Sequence, residues 1–202
     1  LLERLYDIYE RRMDDMAEAI SMEMGAPIDF SKASQATSGT SAIKEFTRQL
    51  KKFEFEEQLD DSDDRLLYEP KGVCALITPW NWPISQVALK VIPAIAAGCT
   101  MVLKPSELSP LDSMIFAEML DEAGCPAGVF NLVNGDGAGV GSQLTSHPDI
   151  DMISFTGSTR AGSLISHNAA DDFKRVALEL GGKGANIIFA DADDKAVKRG
   201  VR

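Results

Sequence analysis

The sequence is short of the residues that hold metals and build disulfide frameworks. Its 202 residues include three cysteines and two histidines. Cys74, Cys99 and Cys125 are widely spaced, with no Cys-x-x-Cys pair and no His/Cys ligand spacing. No metal site is expected, and the odd thiol count suits a reducing compartment, so a cytoplasmic location is expected. There is no apolar run of the roughly 20 residues that cross a bilayer, and no signal-peptide pattern. Positive charge is also scarce: 20 Lys and Arg stand against 31 Asp and Glu, a formal net charge of −11. An acidic surface disfavours nucleic acid and anionic membranes as partners. Two phosphate-binding fingerprints are missing as well. Gly135, Gly137, Gly139 and Gly141 alternate without giving Gly-x-Gly-x-x-Gly. Gly157 and Gly162 have a P-loop spacing, but Ser163 stands where that loop needs lysine.

What is present is an ordinary globular balance, 45% hydrophobic and 25% charged, enough apolar material for a sizeable core. Apolar residues at helical spacing (Leu5, Ile8, Met13, Met16, Ala19, Ile20) predict a helix from about Leu2 to Met24, ended by Gly25-Ala26-Pro27. A weaker pattern predicts a second helix from about Ser31 to Lys52. Phe53 to Glu69 reads as a hairpin with an acidic tip at Asp60-Asp61-Ser62-Asp63-Asp64. After Gly72, strands alternate with helices. Strands are predicted at Val73–Ile77, Thr100–Leu103, Val129–Val133, Asp151–Phe155, Arg175–Leu180 and Asn186–Phe189. Helices are predicted at Pro83–Ala97, from Ser109-Pro110-Leu111-Asp112 onward, near Gly139–Ser146 and at Ser158–Ser166. Ser109 is the expected cap of its helix, with Pro110 in the first turn. Repeated βα units imply an α/β fold, a mostly parallel sheet with helices on both faces. The organisation expected is N-terminal helices over 1–52, a hairpin over 53–70 and the sheet over 71–202.

In such sheets ligands sit beyond the carboxyl ends of the strands. Five suspicious loops each follow a predicted strand: Thr78-Pro79-Trp80-Asn81, Lys104-Pro105-Ser106-Glu107, Asn134-Gly135-Asp136-Gly137, Thr156-Gly157-Ser158 and Glu179-Leu180-Gly181-Gly182. Taken singly, Asn81 reads as a turn residue, Glu179 as a solvated strand end and Lys104 as a surface charge. Together and in this order, the motifs from Ile77 to Lys183 resemble the aldehyde dehydrogenase superfamily, and the likeness extends over essentially the whole chain.

That resemblance implies a Rossmann-like fold binding NAD without the usual glycine fingerprint. It implies that Lys104 and Glu107 hold the adenosine ribose, that Ser158, beside Gly157, contacts the pyrophosphate, and that Ile77, Thr78, Pro79 and Trp80 wall the cofactor. Gly137 is expected beside the adenine, with Leu180 and Gly181 near the nicotinamide. Asn81 is implied as the oxyanion donor, Glu179 as the general base, and Trp82 as a neighbour of the substrate tunnel. The implied reaction is NAD-dependent oxidation of a small aldehyde to a carboxylic acid through a cysteine thiohemiacetal and thioester, with NAD favoured over NADP. The implied assembly is a homodimer or homotetramer, the hairpin forming part of the oligomerisation surface. The chain begins at Leu1 and reaches Arg202 without the family's cysteine-bearing segment. It is therefore expected to be an internal part of a longer protein, inactive alone. Cys74 and Cys99 read as buried strand residues, Cys125 as a loop residue, and His147 and His167 as helix-end or surface histidines. The alternative is a non-catalytic nucleotide-binding or structural protein that has lost the catalytic domain.

Overall fold

The computed structural model describes residues 1–60, 62–193 and 195–200. Its first helices are α1 (Leu2–Arg11), α2 (Met13–Met24), the short α3 (Ile28–Phe30) and α4 (Ala36–Leu50), with a π-helical turn at Ser31–Gln35. A hairpin follows, β1 (Glu56–Gln58) and β2 (Arg65–Leu67). Then come β3 (Val73–Ile77), α5 (Pro83–Ala96), β4 (Thr100–Lys104), α6 (Leu111–Glu122) and β5 (Phe130–Leu132). A π-helical turn (Gly137–Gly141) leads into α7 (Ser142–Ser146). The remainder is β6 (Met152–Thr156), α8 (Thr159–Ala170), β7 (Arg175–Glu179) and α9 (Ala196–Gly200).

β3 to β7 form one parallel sheet in the order β5-β4-β3-β6-β7. The chain starts at the centre, winds outward through β4 and β5, then returns to the other side of β3 for β6 and β7. The order therefore reverses between β3 and β6, and the carboxyl ends of these two strands mark the switch point where open α/β sheets bind ligands. Strand alternation splits the core. Cys74, Leu76, Met101 and Leu103 face the larger cluster, shared with α1, α2, α4, α5 and α6. Ala75, Ile77, Ile153 and Phe155 face the smaller one, with Ile165 and Ala169 of α8. The N-terminal helices thus complete the covering of one sheet face. Cys74 and Cys99 are buried, as their apolar settings implied, and Cys125 is half-buried.

The structure corrects several sequence expectations. The predicted helix over Leu2 to Met24 is two helices, broken at Arg12, whose φ of −108° and ψ of 20° leave helical geometry. Arg12 there bonds Asp15 and reaches Glu118 of α6, which fixes the bend. The second predicted helix opens with the π-turn and ends at Leu50. Ser109 does not cap α6. Its hydroxyl is buried without a hydrogen-bond partner among the described residues, while the carboxylate of Glu23 on α2 accepts from the Leu111 and Asp112 N–H groups. A distant carboxylate does what a local cap would do, because it brings full negative charge to the helix start. Asn186–Phe189 is irregular, not a strand; Ile187 and Phe189 are exposed and no described strand lies alongside to pair with. The hairpin is present, β1 pairing antiparallel with β2, though Asp61 of its acidic tip lies outside the described residues. Among the described residues, no helix is long and apolar enough to cross a membrane, and no metal-ligand cluster occurs.

Candidate active site

Every loop singled out by sequence leaves the same edge of the sheet. After β3, the Thr78 N–H donates to the Lys104 carbonyl at 3.2 Å, tying the Thr78–Trp82 loop to β4. Thr78 is buried, Pro79 half-buried, and Trp80 and Asn81 are exposed. Trp82 has φ 55° and ψ 50°, a left-handed conformation rare for a large side chain. The indole meets the Phe30 ring edge-on at 5.8 Å between centroids, and Pro83 starts α5 at once. A loop held in a costly conformation by packing is a common mark of a functional site.

Lys104 ends β4 with a buried ammonium. Its Nζ donates to the Pro105 and Gly135 carbonyls, both at 2.7 Å, and stands 3.7 Å from Glu107 Oε2. Burial lowers its pKa; the Glu107 carboxylate opposes that shift. Two carbonyl acceptors fix the ammonium in place, with the exposed Glu107 carboxylate nearby as an ion pair. On the third loop, Asp136 Oδ1 accepts from the Gly139 N–H at 2.7 Å and so shapes the turn containing Gly137.

After β6, the Gly157 N–H donates to the Glu179 carbonyl at 3.0 Å, linking the ends of β6 and β7. Gly157 suits this crowded spot: a Cβ would press on the Phe155 ring and force it to shift. Ser158 caps α8, its Oγ accepting from the Ala161 N–H at 3.2 Å. The remaining N–H groups of that first turn have no intrahelical partner, a ready anion site. Thr156 Oγ1 is buried beside them without a hydrogen-bond partner among the described residues. Glu179 ends β7 and is exposed, as are Leu180 and Gly181; Leu180 Cδ2 leaves only 2.6 Å for a Cβ on Gly162.

A cavity of about 520 Å³ opens at the switch point. It gathers Ile77, Lys104, Glu107 and Gly137 of the expected site residues. Thr78, Pro79, Trp80, Asn81, Gly157, Ser158, Glu179, Leu180 and Gly181 stand outside its lining, along the same sheet edge. Sequence reasoning quoted Asp136 in its loop without giving it a role, and missed Arg160; both also line it. Arg160, in the first turn of α8, has no ion-pair partner among the described residues. Lys90 was missed too: from α5 its Nζ donates to Ser154 Oγ on β6 at 3.0 Å, burial lowers its pKa, and the Glu179 charge pulls the other way. A lysine in the apolar stretch of α5 was the only signal available for it.

A parallel sheet wound in two directions, with a cavity at the reversal, defines a Rossmann-like, doubly wound α/β fold. Comparison with known proteins narrows the class. Residues 1–202 match the aldehyde dehydrogenase family, and the chain belongs to it. It is 55% identical over 204 residues to 3-succinoylsemialdehyde-pyridine dehydrogenase from a Pseudomonas species, covering 100% of this chain and 42% of that protein. A crystal structure of aldehyde dehydrogenase from Bartonella henselae matches with TM-score 0.96 and 62% identity, over 99% of this chain and 42% of its own. Aldehyde dehydrogenase C from Pseudomonas syringae, solved as a mutant with NAD+ and octanal, matches at TM-score 0.92 and 50% identity, over 95% and 39%. The chain spans about two fifths of the length of these relatives.

Proposed function

We propose that the full-length protein oxidises an aldehyde to a carboxylic acid with NAD as hydride acceptor, and that these residues hold the cofactor and flank the reacting carbon. The observation that carries this reading is the convergence of Asn81, Lys104–Glu107, Ser158 and Glu179 on one sheet edge around the β3/β6 reversal. The donors fit the cofactor. The Lys104 ammonium has three N–H bonds, two used on carbonyls, which leaves one for a ribose hydroxyl. Glu107 supplies an exposed acceptor for the other hydroxyl, and the α8 start supplies N–H groups for a pyrophosphate. Bound NAD would accept a hydride from the substrate carbon; that is the chemistry it supplies.

The chain's own residues then have distinct tasks. Asn81 follows β3 and Glu179 ends β7; the two strands flank β6 on either side, so roughly 10 Å separates them, room for a reacting centre between. The neutral Asn81 amide donates to the oxygen of a tetrahedral thiohemiacetal formed on the family's cysteine. The Glu179 carboxylate takes a proton from the water that attacks the thioester. Lys90 anchors α5 to β6 close enough to act on Glu179 electrostatically. Glu107 favours NAD, because a 2′-phosphate would meet its carboxylate. The exposed apolar residues around the hairpin, Phe53, Phe55 and Leu67, fit a role as an oligomer surface.

The test is aldehyde-dependent NADH formation by the full-length protein, with the pyridyl semialdehyde for which the 55%-identical relative is named included among the substrates. NADH formation that needs both aldehyde and Glu179 supports the reading. Tight NAD binding with no turnover on any aldehyde would contradict it.

A further inference from the structure

Asn168 lines the cavity at the switch point from the third turn of α8, and Thr145 lines it from α7. The two side chains are joined: Asn168 Nδ2 donates to Thr145 Oγ1 at 3.0 Å. Thr145 is buried, and its one hydroxyl proton goes back to the Gly141 carbonyl at 3.0 Å or the Ser142 carbonyl at 3.1 Å. Toward Asn168 its oxygen can therefore only accept, which fixes which end of the amide is which. Turned over, the amide would set Oδ1 against an oxygen with no proton to give. Asn168 Oδ1 is thus held away from Thr145. Among the described residues nothing donates to it, and the half-buried side chain does not seal it from solvent.

This acceptor stands at a definite distance from Lys104. A Cβ on Gly141 would lie 3.8 Å from Lys104 Cε, so that glycine marks the Lys104 end of the cavity. Thr145 is one helical turn beyond Gly141, about 6 Å by the helical rise, and Asn168 is one hydrogen bond further. A ribose hydroxyl and the exocyclic edge of its purine are separated by a span of the same order. Between the two ends the walls are small or apolar, with Ala138 and Gly141 before α7 and Ala161, Leu164 and Ile165 on α8. Such walls suit the faces of a flat ring.

Building on the reading that Lys104 and Glu107 hold the adenosine ribose, we propose that Asn168 selects the base of the dinucleotide, its Oδ1 accepting from the exocyclic amino group of adenine. A carboxamide offers adenine an acceptor beside a donor, the pairing that asparagine also makes with adenine in nucleic acids. Hypoxanthine and guanine carry a carbonyl where adenine carries that amino group. Two acceptors would then face each other, stripped of water and unpaired. Thr145 is the positioning residue, because its bond keeps the amide from turning its N–H groups toward such a carbonyl.

The test measures dissociation constants of the full-length protein by calorimetry, for NAD and for nicotinamide hypoxanthine dinucleotide. NAD should bind about tenfold more tightly, the scale of one lost hydrogen bond with an acceptor left unpaired. Asn168→Ala should bring the two constants close together, chiefly by weakening NAD. Thr145→Val keeps the amide and frees it to turn, so the ratio should shrink through tighter binding of the hypoxanthine dinucleotide. A tie that merely joined α7 to α8 would weaken both dinucleotides alike in either variant and leave the ratio unmoved. Equal binding by the parent, or a ratio that survives both substitutions, would overturn base selection while NAD binding still upholds the cofactor reading. The parent's own ratio decides the matter even where a variant fails to fold. Absence of NAD binding would overturn the cofactor reading itself.

Discussion

Asp112 offers a test of the packing that holds α6 against the N-terminal helices. Its side chain is fully buried in the first turn of α6, and neither carboxyl oxygen has a hydrogen-bond partner among the described residues. Burial, reinforced by the nearby Glu23 carboxylate, pushes its pKa from 3.8 to about 8. The titratable groups facing it are Tyr9 of α1 and Glu23 of α2. Tyr9 is held well above its ordinary range and stays neutral; Glu23 is pushed up by burial. Between about pH 4 and pH 8 the folded chain keeps a proton on Asp112 that the unfolded chain has released, so stability falls as pH rises. The full contribution is present below the unfolded pKa and gone above the folded one. At about 1.4 kcal/mol per pH unit the whole window amounts to at most about 6 kcal/mol. In urea unfolding of the full-length protein, Asp112→Asn should gain on the parent by about 4 kcal/mol between pH 5 and pH 8. The comparison is repeated in a Glu23→Gln background to remove the one neighbour that titrates. A stability difference that stays constant across those pH values would refute a buried, protonated Asp112.

Glu107→Gln should narrow the gap between NAD and NADP specificity constants, and Arg160→Glu should widen it, since Arg160 lines the same cavity without an ion-pair partner among the described residues; unchanged ratios would place both side chains away from the 2′ position. Asn81→Ala should lower kcat by about two to three orders of magnitude with NAD affinity preserved, the cost of one oxyanion donor; poor NAD binding at normal turnover would put Asn81 in the cofactor site. Gly157→Ala should destabilise by about 1–3 kcal/mol through collision with the Phe155 ring, read as a lower urea midpoint. The 202 residues alone should give no aldehyde-dependent NADH. Cys74 and Cys99 belong to the amino ends of β3 and β4, opposite the Asn81 edge, and burial pushes the Cys74 thiol up to about 12. Activity lost on changing one of the three cysteines to alanine would overturn that assignment.

The sheet was legible because its signals are local. Short apolar runs such as Val73–Ile77 followed by proline, glycine or lysine turns mark buried parallel strands where neighbours stand to pair with them. The convergence of the five loops on one edge was legible for the same reason: each follows directly after a strand of one parallel sheet. What stayed hidden depends on partners far along the chain. Glu23 replaces Ser109 at the start of α6 from 88 residues away, and a serine before a proline gives no hint of it. Asn186–Phe189 has a strand's composition, but a strand exists only where a neighbour offers its hydrogen bonds. Arg160 and Lys90 read as ordinary helix charges until α8 and α5 fold onto the sheet.

The most direct test is the crystal structure of the full-length protein with NAD and an unreactive aldehyde analogue. The account predicts the adenosine ribose hydroxyls within hydrogen-bonding distance of Lys104 Nζ and the Glu107 carboxylate. It also predicts the pyrophosphate at the start of α8 beside Ser158, and the analogue oxygen on the Asn81 amide. A cofactor bound away from the β3/β6 reversal, or with its ribose out of reach of both Lys104 and Glu107, would contradict it.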